Sequence, residues 1–357
     1  MRPLMTSDLD SLRADVAQLM RDHLRMPAVD LKLDRLPGDA SNRHYYRAHS
    51  EGKSWILMRV MDDAPAKLFE EKTTLEKVDE LPFVNVQRFL EKLGAPVPQI
   101  HVWDKPKGLM LIEDWGDLML EGVVKEGNGK RIRSLYEKSI DVMVQLQVEG
   151  TKKIDASCIA YHQRFNVELL VWEFDHFLEY GVEVRENRRM DAADRSTVGA
   201  IFQAIAREIE SQPRMLTHRD FHSRNVMIHG NDEVGLIDFQ DALMGPPAYD
   251  LASLVRDAYV TLGEDVVDGL VAYFLARRAE AGAPLDPERF RRDFDLTSVQ
   301  RNLKAAGRFV FIDVKKGNDK FLRHIPPVLG YVRRNLQKYE ELQPAYEVLA
   351  KYVPEFK

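Results

Sequence analysis

The stretch Leu216-Thr-His-Arg-Asp-Phe-His-Ser-Arg-Asn-Val-Met-Ile228, followed by Val234-Gly-Leu-Ile-Asp-Phe-Gln-Asp241, constrains this chain more than any other. Each half is a short apolar, strand-like run with acidic or amide residues at one end. Gly230-Asn-Asp232 between them is a turn signal, so the halves are expected to form a β-hairpin or a closely linked strand pair. Such a pair brings Asp220, Asn225, Asp238 and Asp241 to one rim.

These residue types suit phosphoryl transfer. His-Arg-Asp-x-x-x-x-Asn, with an Asp on the next strand, is the pattern in which the first Asp takes a hydroxyl proton. The reaction needs little covalent help but much charge neutralisation and in-line positioning. Mg²⁺ is a hard cation, and one carboxylate plus one amide hold it when phosphates and water complete its shell. Asn225 and Asp238 are therefore the expected metal ligands, and Asp220 stays free to face the acceptor. A loop that merely satisfies its own polar groups requires neither this spacing nor Ile-Asp-Phe after a single turn.

At 357 residues the chain has room for two domains or one two-lobed domain. Its 45% hydrophobic content supports a sizeable core, and a formal charge of -6 gives no electrostatic case for nucleic acid or a membrane surface. One cysteine, Cys158, excludes an intrachain disulfide and is expected as a buried small hydrophobe in a reducing compartment. No signal-peptide pattern or transmembrane-length apolar run is present, so the expected location is cytoplasmic. No obligate protein partner is expected.

An amphipathic helix is expected over 8–25, with Leu9, Leu12, Val16, Leu19 and Met20 on one face. Strands follow at Leu31–Leu36, Arg43–Ala48 and Trp55–Met61, as an antiparallel meander. The loop Pro37–Asn42 between the first two is small and contains Gly38 and Ser41. Such a loop lets backbone N–H groups and a hydroxyl approach phosphate oxygens. Arg43 and Arg47 are expected as solvated strand residues. Residues 66–93 carry a helical pattern that Pro82 divides. Ile100–Trp103 and Leu109–Asp114 are two further strands, the second an edge strand running into a hinge, where adenine would bond backbone near Ile112, Glu113 and Asp114. Beyond 117 the chain is mainly helical, with periodic segments at 131–148, 165–179, 194–212, 265–280, 287–309 and 327–350. The expected architecture is α+β and two-lobed, an antiparallel-sheet lobe over 1–113 and a helical lobe over 114–357.

Leu216–Asp241 together with Ala248-Tyr-Asp-Leu251 resembles the aminoglycoside phosphotransferase (choline-kinase-like) family, whose fold is similar to that of protein kinases. Leu36-Pro-Gly-Asp-Ala-Ser41, Asp63-Ala-Pro65, Pro82-Phe-Val84, Ile112-Glu-Asp-Trp-Gly116, Gly245-Pro246, and Gln300-Arg-Asn-Leu-Lys304 with Gly307 narrow the resemblance. They are similar to the bacterial N-acetylmuramate/N-acetylglucosamine anomeric kinases of cell-wall (peptidoglycan) recycling, over nearly all of the chain from about residue 30. The resemblance implies ATP and Mg²⁺ and a sugar C1 hydroxyl as acceptor. It implies Asp220 as the catalytic base and Asn225 and Asp238 as metal ligands. Asp241 would assist the metal or order the loop, and His218 and Asp250 would brace it.

The usual strand lysine that grips the phosphates is missing; Arg59 stands near that place, with Lys53 a second candidate. For the sugar, Glu168, Trp172, Glu173 and Asp175 are spaced to share a helix face, Arg301 and Lys304 form a second candidate pair, and Arg301 or His222 would meet a carboxylate. The alternatives are a kinase for an aminoglycoside, choline or another sugar, and a nucleotide-binding pseudokinase scaffold.

Overall fold

Apolar residues alternate along the strands of the first part of the chain, and that period of two decides how it folds. The computed structural model describes residues 6–28, 30–36, 43–60 and 80–357. In it β1 (Lys32–Arg35), β2 (Arg43–Ser50), β3 (Lys53–Val60), β4 (Ile100–Asp104) and β5 (Leu109–Glu113) form one antiparallel sheet, ordered β1-β2-β3-β5-β4. The register pairs Leu33 with Ala48, Tyr46 with Leu57 and Leu57 with Leu111, so these side chains share one face. The helix α1 (Thr6–Leu24) covers that face with Leu12, Val16, Leu19 and Met20. Each such apolar side chain removed from water contributes about 1.5–3 kcal/mol.

Two expectations fail here. β5 is not an edge strand; it lies between β3 and β4. Leu109–Ile112 are all buried, and an unbroken apolar run suits an interior strand, whereas β4 buries only Val102 and takes the edge. Arg43 is buried, and Arg47 is not a solvated strand residue either. Arg47 donates from Nε to Asp114 Oδ2 (2.8 Å), from Nη1 and Nη2 to the two Asp117 oxygens (2.9 and 2.8 Å), and from Nη2 to the Gly116 carbonyl (3.1 Å). The planar fork of donors ties β2 to the segment that follows β5.

The chain divides into two compact units, Met1–Leu75 with Val97–Asp117, and Glu76–Pro96 with Leu118–Lys357. A single boundary after residue 113 is the simpler reading of the sequence. The difference is the helix α2 (Pro82–Leu93), which starts on a proline at its first turn and ends at Gly94 in the left-handed region. Its Asn85 donates to the Ser157 carbonyl (2.9 Å) and accepts the Ile159 N–H (2.8 Å), which anchors α2 in the second unit. The part of the helical pattern over 66–79 lies outside the described residues.

The second unit is mainly helical, as expected. Before its strands come α3 (Leu120–Glu126), α4 (Gly129–Gln145), α5 (Thr151–Lys153), α6 (Ile159–His162), α7 (Val167–His176) and α8 (Ala192–Ser211). Two strand pairs follow, made of β6 (Met215–Thr217), β7 (Val226–His229), β8 (Glu233–Leu236) and β9 (Leu243–Gly245). Then come α9 (Ala248–Val255), α10 (Glu264–Glu280), α11 (Pro287–Lys316), α12 (Ile325–Lys338) and α13 (Gln343–Tyr352). The pattern over 327–350 reads as one helix, but Tyr339 is extended (φ -118°, ψ 128°) and Pro344 opens α13. A proline in a helix interior would remove a hydrogen bond and clash with the preceding turn, so the helix breaks before it. Cys158 is buried, as expected. Among the described residues no helix is long and apolar enough to cross a membrane.

The 30-residue α11 is the axis of this unit, packed by α7, α9 and α12. Surrounded in this way, it buries polar residues as well, Gln300, Arg301 and Asn302 among them. Gly307 is its closest approach to the π-helical turn Phe177–Val184 that continues α7. A Cβ on Gly307 would lie 2.8 Å from Phe177 Cα and 3.1 Å from Phe177 N, both backbone atoms. Gly307→Ala should therefore destabilise the protein by about 1–3 kcal/mol through overpacking, less the roughly 1 kcal/mol that alanine gains in a helix. A lowered midpoint of urea unfolding checks this; a raised midpoint would contradict the packing described.

Candidate active site

The expected hairpin forms between β7 and β8 around Gly230-Asn-Asp232, while Leu216 joins a different pair, β6 with β9. Residues 218–225 connect the two pairs outside any ladder, so side chains must meet their backbone N–H groups. Asp250, early in α9, meets two of them. Its Oδ2 accepts the His218 N–H at 2.7 Å and its Oδ1 the Arg219 N–H at 2.9 Å. Asp257 accepts the Ser223 N–H at 3.0 Å. The His218 Nε2 lies 3.1 Å from the Ile237 carbonyl and joins the loop to the segment carrying Asp238. Arg219 and Asp238 have φ of +77° and +62°, strained values for residues other than glycine, of a kind that clusters at functional sites.

The loop then folds on itself. The Asp220 carbonyl accepts the His222 N–H and the Asn225 Nδ2, both at 2.9 Å. The same Nδ2 lies 3.4 Å from Asp238 Oδ2, and Gln240 Nε2 donates to Asp238 Oδ1 at 2.6 Å. Asp220, Asn225 and Asp238 thus converge. Asp241 is partly exposed in the turn that follows. With Nδ2 of Asn225 taken by the loop, its Oδ1 and the exposed Asp238 carboxylate remain as hard oxygen donors, and that donor set fits Mg²⁺.

Charge around Asp220 is uneven. Burial alone would push its carboxyl up, but Lys304 above all, then Arg219, His222 and Arg301, bring it down to about 2. It is ionised at neutral pH, the state a proton acceptor needs. Burial pushes His218 down to about 4, so it is neutral, and also lowers His222. Burial raises Asp250 to about 7 in spite of its two N–H donors.

A second cluster adjoins the loop. Glu173 on α7 has no exposed side-chain surface and meets Lys304 Nζ at 2.9 Å, Gln300 Nε2 at 2.5 Å and Arg219 Nη2 at 3.3 Å. Arg301 donates to Ser253 Oγ (2.8 Å) and Asn302 Oδ1 (3.3 Å), so the protein itself takes up these donors. Glu168 does not share this face. Five helical residues turn it about 140° from Glu173, and it is exposed, as are Trp172 and Asp175.

In the first unit, the side chains of Glu113 and Asp114 close the end of the sheet. Glu113 Oε2 accepts the Gln99 N–H (3.1 Å), and Asp114 holds Arg47 and the Gly116 N–H (2.9 Å). Arg59 corrects its expected role as a phosphate ligand. Paired with Leu109 two positions beyond Leu57, it lies on the α1 side of the sheet beside Asp8, Asp15 and Lys107, because alternation along β3 sends it there. Lys53 is exposed at the start of β3. Gly38 and Ser41 lie outside the described residues.

Sequence reasoning missed Asp257, which stands just beyond the end of α9. It also missed Tyr259, whose ring carries the Arg224 guanidinium 3.8 Å from its centroid and the His222 ring at 5.1 Å. Nothing in the local pattern marks that tyrosine.

Residues 32–287 match the phosphotransferase enzyme family. The chain belongs to that family. This phosphotransferase is 31% identical to the N-acetylmuramate/N-acetylglucosamine kinase of Neisseria meningitidis serogroup B, over 92% of each chain. It is 29% identical to the protein of that name from Pseudomonas putida, over 93% of this chain and 91% of the relative. Among solved structures it resembles choline kinase LicA from Streptococcus pneumoniae, with a TM-score of 0.60 at 13% identity, covering 92% of this chain and 100% of LicA. It also resembles the gentamicin-APH(2")-IIa complex, with a TM-score of 0.59 at 13% identity, covering 92% of this chain and 97% of that one. These structural likenesses show the fold alone: the α+β, protein-kinase-like architecture.

Two predictions follow from the phosphotransferase's buried carboxylates. Asp250→Ala leaves two buried N–H groups without acceptors, at about 1–3 kcal/mol each. Its urea midpoint should fall, and a midpoint like wild type would contradict the loop's dependence on Asp250. For Glu173, burial alone would raise the carboxyl, yet Lys304 and Arg219 bring it below its ordinary 4.5. The unfolded chain therefore protonates first, so this stabilisation is complete above about pH 4.5 and fades as the pH falls further. Glu173→Gln should flatten the acid limb of unfolding free energy against pH, and an unaltered limb would contradict the assignment.

Proposed function

We propose that this phosphotransferase is an ATP-dependent kinase that phosphorylates the C1 hydroxyl of N-acetylmuramate, N-acetylglucosamine or both, in the recycling of cell-wall sugars in the cytoplasm. The observation that carries the reading is the convergence of an ionised Asp220 with Asn225 and Asp238. The sugar is suggested by the curated relatives, whose similarity extends over about nine-tenths of both chains.

In this reading Asp220 accepts the proton of the acceptor hydroxyl as its oxygen bonds to the γ-phosphorus and ADP departs. An anomeric hydroxyl belongs to a hemiacetal and is more acidic than an ordinary alcohol, so a carboxylate of low basicity suffices. Asn225 and Asp238 would hold Mg²⁺, which when bound neutralises the charge of the transferred phosphoryl group. Asp250 and His218 keep the loop in register. The cations around Asp220 disfavour a cationic acceptor such as choline or an aminoglycoside.

The test is ATP turnover with Mg²⁺ on N-acetylmuramate, N-acetylglucosamine, glucose, choline and kanamycin. The expected product is an acid-labile sugar phosphate, and Asp220→Asn should lower kcat by about 10²–10⁴-fold. Turnover of choline or kanamycin alone, or an acid-stable product, would overturn the substrate. Full activity of Asp220→Asn would overturn the role of Asp220.

A further inference from the structure

Three cations act on Asp220, and they differ in what they have left to offer a ligand. Arg219 is buried against Glu173. Arg301 is buried and bonded to Ser253 and Asn302. Lys304 keeps 21% of its side chain exposed, and among the described residues its hydrogen-bonding partner is Glu173. An ammonium carries three N–H donors, so one contact leaves it able to accept an anionic group.

A second observation points to the same place. The Tyr249 hydroxyl is buried and has no hydrogen-bond partner in the structure. The charges that act on it are those of Lys304, Glu173, Arg219 and Asp220. The Gln300 Oε1 is buried and unpartnered as well, while its Nε2 is held by Glu173. Buried polar atoms without partners are rare in native proteins and call for an explanation. Here one belongs to a residue that shares Glu173 with Lys304, and the other feels the charge of that lysine and of the carboxylate expected to face the acceptor.

We propose that Lys304, with the Tyr249 hydroxyl, receives a carboxylate on the acceptor and makes this enzyme prefer an acidic amino sugar over its neutral counterpart. The proposal rests on the amino-sugar kinase reading above. N-acetylmuramate carries a lactyl carboxylate where N-acetylglucosamine has a hydroxyl, so the pair isolates that one charge. Glu173 orients the ammonium through its 2.9 Å contact. The other anion that a lysine here would suit is the transferred phosphoryl group, and it is common to both sugars.

The experiment is steady-state kinetics of the full chain on both sugars, for wild type, Lys304→Met, Lys304→Arg and Tyr249→Phe. Wild type should favour N-acetylmuramate. Lys304→Met should lose at least about tenfold more kcat/KM on N-acetylmuramate than on N-acetylglucosamine, mainly through KM, as removal of a charge-assisted hydrogen bond would do. Lys304→Arg should restore part of the preference. Should Lys304→Met fail to fold, Tyr249→Phe removes only a hydroxyl, and a selective loss of about threefold or more on N-acetylmuramate is expected. Equal losses on the two sugars would overturn the proposal and assign Lys304 to the phosphoryl group. Wild-type turnover of N-acetylglucosamine alone would overturn it while leaving the kinase reading intact. Turnover of neither sugar would overturn both.

Discussion

One buried carboxylate holds the candidate site together. Asp250 accepts two consecutive backbone N–H groups, of His218 and Arg219, where β6 has ended and no ladder remains to take them. Those two N–H donors offset part of the hydration that the carboxyl loses, while burial still pushes it up to about 7. Because both N–H groups are committed, the left-handed turn at Arg219 has little freedom, and it determines where Asp220 begins. Asn225 then closes the loop onto the Asp220 carbonyl, and the His218 ring links the whole to the segment carrying Asp238.

Around this anchor the second unit spends polar groups where a purely structural protein would place apolar ones. Replacing a buried ion pair by hydrophobic residues is often neutral or stabilising, so the Glu173, Lys304 and Arg219 cluster is weak evidence for stability and better evidence for a task. Its effect on Asp220 is concrete. Burial opposes ionisation of that carboxyl, and the neighbouring cations more than reverse the opposition. The same cations make the surroundings of Asp220 attractive to anions. The fold supplies two of them from α11, whose length and enclosure keep Arg301 and Lys304 in fixed registers against α7 and the 218–225 loop.

Much of this was legible in the chain because it depends on local spacing. Asp220, Asn225 and Asp238 sit on one short stretch, and a single turn brings them together, so the pattern alone indicates their convergence. Alternation likewise announces the first sheet, and 3.6-residue periodicity most of the helices. What was not legible depends on partners far along the chain. β5 is interior because β4 comes to its outer side. Arg47 looks solvated until Asp114 and Asp117 are placed beside it. Arg59 has the right charge for a phosphate ligand, but one position of alternation puts it on the helix-covered face. Glu168 and Glu173 look like neighbours, yet helical rotation exposes one and buries the other. The resemblance to known kinases suggested a bracing role for Asp250, but the two N–H groups it accepts come from residues more than thirty positions earlier.

The most direct test of this account is a crystal structure of the protein with N-acetylmuramate, Mg²⁺ and a non-hydrolysable ATP analogue. The account predicts the sugar's C1 hydroxyl within about 3 Å of the Asp220 carboxylate, the cation on Asn225 and Asp238, and the Asp250 bonds to residues 218 and 219 unchanged. A sugar bound with another hydroxyl at Asp220, or Asp220 itself ligating the metal, would contradict it.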